Sequence, residues 1–244
     1  VDFTVGASSF EYVSVPVIAA VSPRNGPTAG GTLVRIDGAH FAVNATWCNF
    51  GDPHGVKTLA VVESESSILC TTSPRREGSA TVAISTNGVD VDAGGIRFRF
   101  HVPLRVDAVY PAHGPESGNT VVTVTGARFW AADTFICRFG DAPSTDVEWL
   151  GPTMIGCVAP PHVPAALRIS VSANGQQFTG DQVLYIFHAA HDVTSVMPSG
   201  GPVRGGTLVH VLGSGFTNTG LIRCRFGAHT TVAVFVDAAE VMCY

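Results

Sequence analysis

Six cysteines recur in pairs and are the residues of this chain best suited to chemistry. The two members of each pair stand 22, 20 and 19 residues apart in three successive stretches: Cys48 and Cys70, Cys137 and Cys157, and Cys224 and Cys243. Paired cysteines form disulfides in oxidising compartments. Because one pair recurs in every stretch, we predict that each pair closes within its own stretch as a disulfide.

Two other states of the cysteines stay open at this point. Reduced, buried thiols are common in proteins of the cytosol, and zinc is a further option. The pairs lack Cys-x-x-Cys spacing and no histidine keeps a fixed offset from them, so zinc has the least support. A disulfide that closes a loop of this length stabilises by roughly 3 kcal/mol, a large share of the about 5–15 kcal/mol typical of a domain.

Other reactive side chains form no catalytic or metal-binding pattern. Among nine histidines, only His101 and His188 keep the repeat offset; we interpret them as polar strand ends, with a shared metal or pH-sensitive contact as the alternative. Asp52 and Asp141 follow a repeated Cys-x-Phe-Gly motif, but calcium needs six to eight oxygen ligands. No Gly-x-Ser-x-Gly elbow is present. We therefore expect no enzymatic activity, no cofactor and no metal.

Two features concern carbohydrate. Trp47, Trp130 and Trp149 occupy different places in the repeated unit, so they predict no repeated sugar platform, although glycan binding stays open. Asn44 begins the sequon Asn-Ala-Thr in a predicted loop. If the chain is secreted, we expect Asn44 to carry a glycan.

Composition excludes several classes of partner. Lys and Arg number 14 against 19 Asp and Glu, and charged residues make up 14% of the 244 residues, without any run of like charge. Nucleic-acid binding requires clustered cations, so we expect none. No stretch approaches the roughly 18 apolar residues that span a bilayer. The chain begins with Val1 and looks excised from a longer protein, so we expect membrane attachment only through parts outside this segment.

The cysteine pairs lie within a threefold sequence repeat, whose secondary-structure elements must position them. Val21–Thr32 returns as Val109–Thr120 and as Val196–Thr207, at offsets of 88 and 87 residues. Alternating apolar positions such as Val34 and Ile36 follow, which is typical of half-buried strands. Later strands run into Asn-Gly pairs, which favour hairpins. We predict about seven short strands per unit and an all-β, immunoglobulin-like sandwich.

The combined motifs resemble the IPT/TIG domain. They run Pro-x-x-Gly-Pro-x-x-Gly-Gly-Thr, Val-x-Ile-x-Gly-x-x-Phe, Cys-x-Phe-Gly and Cys followed by proline. The resemblance implies tandem early-set (E-set) sandwiches, as in receptor stalks and fibrocystin-like surface proteins. Two positions depart from the pattern: Asn119 stands where the other repeats have Gly31 and Gly206, and an alanine follows Gly227 where the other repeats have Asp.

Aligning the repeats predicts four segments. Residues 1–14 match the last strand of a preceding unit, 15–102 and 103–190 are complete domains, and 191–244 is a third domain truncated at its C-terminal end. We expect the third to fold poorly as it stands. Short linkers, one containing Pro103, should limit hinge freedom.

We interpret the chain as an extracellular or cell-surface segment of a larger protein. Its expected role is a non-catalytic scaffold for spacing and protein–protein contact, with partners that the sequence does not identify. The alternative is an accessory, carbohydrate-associated module of a polysaccharide-active enzyme. A transcription factor of this family would need a basic loop to read DNA, and the sequence has none.

If the disulfide prediction holds, the thiol count distinguishes it from both alternatives. Alkylation of the denatured, unreduced chain should label no cysteine, and alkylation after reduction should label all six, as read by intact mass. Six labelled thiols before reduction would remove both the bridges and the oxidising compartment.

Overall fold

All regular secondary structure in the part of the chain that the structure describes consists of β-strands. The computed structural model of the chain describes residues 12–42, 46–51, 56–132 and 135–244, in which 23 strands and no helix occur. None of these residues belongs to a helix able to cross a membrane. The all-β prediction is confirmed. Two compact units divide the chain: Val1–Pro103 with Ala173–Gln177, and Leu104–Ser172 with Phe178–Tyr244.

The first repeat is a sandwich of two sheets. Their strand orders are β1-β3-β7-β6 and β2-β9-β8-β4-β5. One buried cluster takes side chains from both sheets, including Val34 and Ile36 of β3 and Val82 and Ile84 of β8, all fully buried. The strands are β1 (Val17–Ser22), β2 (Asn25–Pro27), β3 (Leu33–Ala39), β4 (Trp47–Phe50), β5 (Lys57–Leu59), β6 (Val61–Ser64), β7 (Ser67–Thr71), β8 (Gly78–Ser85) and β9 (Asp92–His101).

The second repeat has the same layout. Its sheets are ordered β10-β12-β16-β15 and β11-β18-β17-β13-β14, which correspond strand for strand to those of the first repeat. The predicted inward residues Val122, Val124, Ile169 and Val171 are fully buried. The strands are β10 (Arg105–Tyr110), β11 (His113–Pro115), β12 (Val121–Ala127), β13 (Ile136–Phe139), β14 (Ala142–Pro143), β15 (Val147–Gly151), β16 (Met154–Val158), β17 (Ala165–Ser172) and β18 (Leu184–His188).

Both Asn-Gly pairs follow the first strand of an antiparallel pair, as predicted. Strand β8 pairs antiparallel with β9, and β17 pairs antiparallel with β18. Gly88 and Gly175 both have φ 75°, a left-handed conformation that glycine adopts without steric cost.

The disulfides of the first two repeats connect the two sheets of each sandwich. Cys48 lies on β4 and is bonded to Cys70 on β7, with Cα atoms 6.1 Å apart. Cys137 on β13 is bonded to Cys157 on β16, with Cα atoms 6.3 Å apart. These four residues are fully buried. Each bridge therefore crosses the core that the alternating apolar residues fill.

In the second repeat, asparagine stands in place of the second glycine of the Gly-Gly-Thr motif, and the backbone conformation is preserved. Gly31 and Gly206 have φ of 79° and 84°, and Asn119 has φ 61°. Asparagine is among the non-glycine residues that tolerate this left-handed region best. The departure from the motif therefore does not disturb the turn that precedes β12.

The third repeat forms one five-stranded sheet. Its order is β19-β20-β23-β22-β21, for β19 (Asp192–Met197), β20 (Val209–Ser214), β21 (Arg223–Phe226), β22 (His229–Asp237) and β23 (Glu240–Cys243). Within residues 191–244, no strand corresponds to β2, β8 or β9 of the first repeat. Cys224 on β21 is bonded to Cys243 on β23. The long β22 pairs with β21 through its first half and with β23 through its second.

Strand β19 has no apolar cover. Its equivalents β1 and β10 each bury two residues, Ile18 and Val21 and then Val106 and Val109, whereas all six residues of β19 are exposed. The buried cluster of this repeat contains only five residues: Val211, Phe216, Cys224, Val241 and Cys243. Because less apolar surface is removed from water, the third repeat gains less stabilisation than the first.

We expect the third repeat to exchange amide hydrogens faster than the first. In hydrogen-exchange mass spectrometry, residues 196–244 should exchange about tenfold or more faster than the equivalent strands of residues 21–71, because few buried apolar contacts oppose local opening. The first repeat of the same molecule is the internal control. Equal protection in the two segments would contradict this expectation.

Candidate functional site

The predicted site cysteines serve the fold. All six are disulfide-bonded and buried, so none presents a thiol to a substrate or a metal. Asn44 lies outside the described residues, in the gap between residues 42 and 46, and its glycosylation stays a prediction. The sites best defined by the structure are hydrogen-bonded turns and surfaces that the sequence did not single out.

Equivalent histidines end the last strand of the first and second repeats. The ring Nδ1 of His101 donates to the carbonyl oxygen of Val102 at 3.0 Å, and that of His188 donates to the carbonyl oxygen of Ala189 at 3.0 Å. Burial lowers the pKa of His101 below its usual 6.5. The fold thus favours the neutral ring, and this stabilisation, complete above pH 6.5, declines as the pH falls below that value.

No metal centre is found among the described residues. They contain no group of three or more His, Cys, Asp or Glu side chains that could hold an ion. Asp52, considered above for calcium, lies outside the described residues. Asp141 lies between β13 and β14.

The tryptophans lie on separate elements. Trp47 is half-buried on β4, and Trp149 is 40% exposed on β15. The ring of Trp130 packs with Phe135, with centroids 5.9 Å apart. They therefore have different environments, and the structure gives no repeated aromatic platform.

The turn at residues 173–177 is organised by Asn174. Its Oδ1 accepts hydrogen bonds from the backbone N–H groups of Gln176 and Gln177, at 3.0 and 3.1 Å. This is the local side-chain bonding that asparagine favours in turns. The two glutamine side chains are thereby directed to groups of the first compact unit, to which the turn belongs.

Gln176 pairs with a strand end through its side-chain amide. The backbone N–H of Leu33 donates to Gln176 Oε1 at 2.9 Å, and Gln176 Nε2 donates to the Leu33 carbonyl oxygen at 2.7 Å. The amide thus satisfies both backbone groups of Leu33, as a neighbouring β-strand would. We call residues 173–177 together with these partners the glutamine turn.

Gln177 and Asn25 complete the glutamine turn. Gln177 Oε1 accepts from Thr32 Oγ1 at 3.1 Å, and Gln177 Nε2 donates to the Gly31 carbonyl oxygen at 3.2 Å. Asn25 Nδ2 donates to the carbonyl oxygen of Ala173 at 3.0 Å. The Gly-Gly-Thr motif thus presents groups that a second segment of the chain recognises.

The sequence predicted a turn after Asn174 but not its hydrogen bonds to residues 31–33. In the first repeat, Asn87 caps its turn in the same way, accepting from the N–H groups of Val89 and Asp90 at 2.9 Å each. Valine and aspartate stand there in place of Gln176 and Gln177. Comparing the residues after each Asn-Gly pair was the available signal, because of valine, aspartate and glutamine only glutamine has a side chain with both a donor and an acceptor.

The outward faces of the first two repeats each combine ion pairs with exposed apolar side chains. In the first repeat, Arg35 on β3 pairs with Asp37 and with Glu63. In the second, the outward face of the β10-β12-β16-β15 sheet carries four exposed apolar side chains: Tyr110, Val121, Leu150 and Met154. The second repeat also has an ion pair, Arg105 with Asp107 on β10, and the first also exposes Val17, Leu33 and Val61.

Comparison with known proteins gives matches over nearly the whole chain. A family model described as the IPT/TIG domain matches residues 16–100, 104–187 and 192–244. Human fibrocystin-L is 26% identical over 222 residues, which cover 87% of this chain and 5% of that protein. Mouse plexin-B2 is 24% identical over 222 residues, covering 83% of this chain and 11% of that protein. The chain thus spans a small fraction of these relatives.

A solved structure of the full extracellular region of plexin A4 is similar in fold. It aligns with 94% of this chain and 20% of its own length, at 21% sequence identity and a TM-score of 0.54. At this level of identity, the likeness supports the fold alone.

The glutamine turn can be tested at a single amide. In Gln176→Ala, the Leu33 N–H loses its acceptor, and we expect its exchange rate, measured by NMR, to rise about threefold to tenfold, the effect of a hydrogen bond worth about 1 kcal/mol. Gln182→Ala is the matched control, because its side chain donates to the carbonyl oxygen of the nearby Gly180. An unchanged Leu33 amide in Gln176→Ala would disprove the pairing.

Proposed function

Because the chain belongs to the IPT/TIG family, we propose that it is a non-catalytic, extracellular scaffold that spaces parts of a longer protein and contacts protein partners. Its similarity to fibrocystin-L and plexins, both matched over more than four fifths of this chain, supports an interaction module rather than an enzyme. The partner is a protein surface whose identity the chain does not specify.

The repetition of one sandwich layout is the observation that supports the spacing role. The sheets of the first and second repeats correspond strand for strand, and the family model matches all three repeats. We propose the domain boundaries 15–102, 103–190 and 191–244.

Disulfide chemistry supports the extracellular location. Three disulfides involve every cysteine of the chain, whereas reducing compartments keep most thiols reduced. The solved plexin A4 structure with the same fold is of an extracellular region. On this location, Asn44 is the proposed site of an N-linked glycan.

The scaffold and the carbohydrate-associated alternative predict different binding partners. Glycan-array binding at micromolar affinity would favour an accessory module of a polysaccharide-active enzyme. Binding to a receptor ectodomain, with no glycan bound, would favour the scaffold.

A further inference from the structure

Two histidine rings stack where the second repeat joins the third. His188 is the last residue of β18, and His191 directly precedes β19. Their ring centroids are 4.7 Å apart and their planes differ by 6°. Both belong to the second compact unit. We call this pair the histidine stack.

Hydrogen bonds assign the tautomer of both rings. His188 Nδ1 lies 3.0 Å from the carbonyl oxygen of Ala189, and His191 Nδ1 lies 2.8 Å from that of Gly215. A carbonyl oxygen only accepts, so each Nδ1 carries the proton and each neutral ring keeps its lone pair on Nε2. Acid therefore adds protons at Nε2 without breaking these bonds, and it creates two cations face to face.

The position equivalent to His191 holds an apolar residue in the other two repeats. The residue that precedes the first strand is Pro16 in the first repeat and Leu104 in the second, and both are buried. His191 is exposed, and its ring centroid lies 5.8 Å from that of Phe216. Only the third repeat thus has an ionisable side chain at this position.

We propose that the histidine stack is an acid-sensitive joint between the second and third repeats. The stack stays closed with at most one ring protonated and opens when both are, because two like charges then repel at short range. Histidine is the side chain that changes charge between about pH 5 and 8. Acidification over that range thus frees the third repeat from the second.

The charged groups around the stack accommodate one proton better than two. Glu116, which follows β11, accepts from the backbone N–H of Ala190 through Oε1 at 3.2 Å. Asp192 is the residue after His191, and the loop at 215–217 adds no titratable side chain. The ring of His162 packs on that of Phe187, the residue before His188, with centroids 5.2 Å apart. A carboxylate at Glu116 offsets one positive charge on the stack better than two.

Amide exchange at two pH values tests the joint. With the whole chain, in EDTA and after correction for the intrinsic pH dependence of exchange, residues 188–192 and 213–217 should lose protection about fivefold to tenfold from pH 7.5 to 5.5. His191→Leu, which copies Leu104, should abolish that loss, because it keeps apolar packing on Phe216 and removes one titrating ring. His229→Leu, which removes another histidine of the third repeat, should behave like wild type.

A second variant protects the test against misfolding. His188→Phe keeps an aromatic face against His191 and should also abolish the loss of protection. Wild-type protection that does not change with pH would overturn the proposal, as would an equal loss in both variants. Acid effects at His101, or at the bonded pair His210 and Glu240, fall in other peptides and are thereby separated.

Discussion

The structure depends on packing two sheets over a small core and joining them with a covalent bridge. In the first repeat, Val34 and Ile36 face Val82 and Ile84, and the Cys48–Cys70 bond crosses the same space. A unit of about 87 residues buries only a modest core. The bridge therefore adds a constraint on the unfolded chain to the limited stabilisation from apolar burial.

The third repeat shows what this packing supplies. It has the bridge, the leading motif and the antiparallel pairs, but residues 191–244 contain no equivalent of β8 or β9. The positions of Ile18 and Val21 in β1 are held by Val193 and Val196 in β19, and both of those valines are exposed. Residues of the same type are thus buried or exposed according to whether the opposite sheet exists.

The turns and strand ends differ more between the repeats than the sandwiches do. The glutamine turn uses neutral amides, whose bonds to Leu33 and Gly31 do not change with pH. The histidine stack uses imidazoles, which change charge in the physiological range. Because the sandwiches share one layout, such differences in turns and strand ends distinguish the repeats chemically.

The sequence by itself determined the all-β class, the repeat, the inward residues of each strand and the hairpins after Asn-Gly, since period-two alternation and turn chemistry are local properties. It did not reveal that Gln176 would meet Leu33, which lies 143 residues away, or that the ring of His191 would pack near that of Phe216. Which side chains meet across such distances, and which valines of β19 lose their cover, was decided by the tertiary structure, because these contacts depend on how whole sheets and turns assemble.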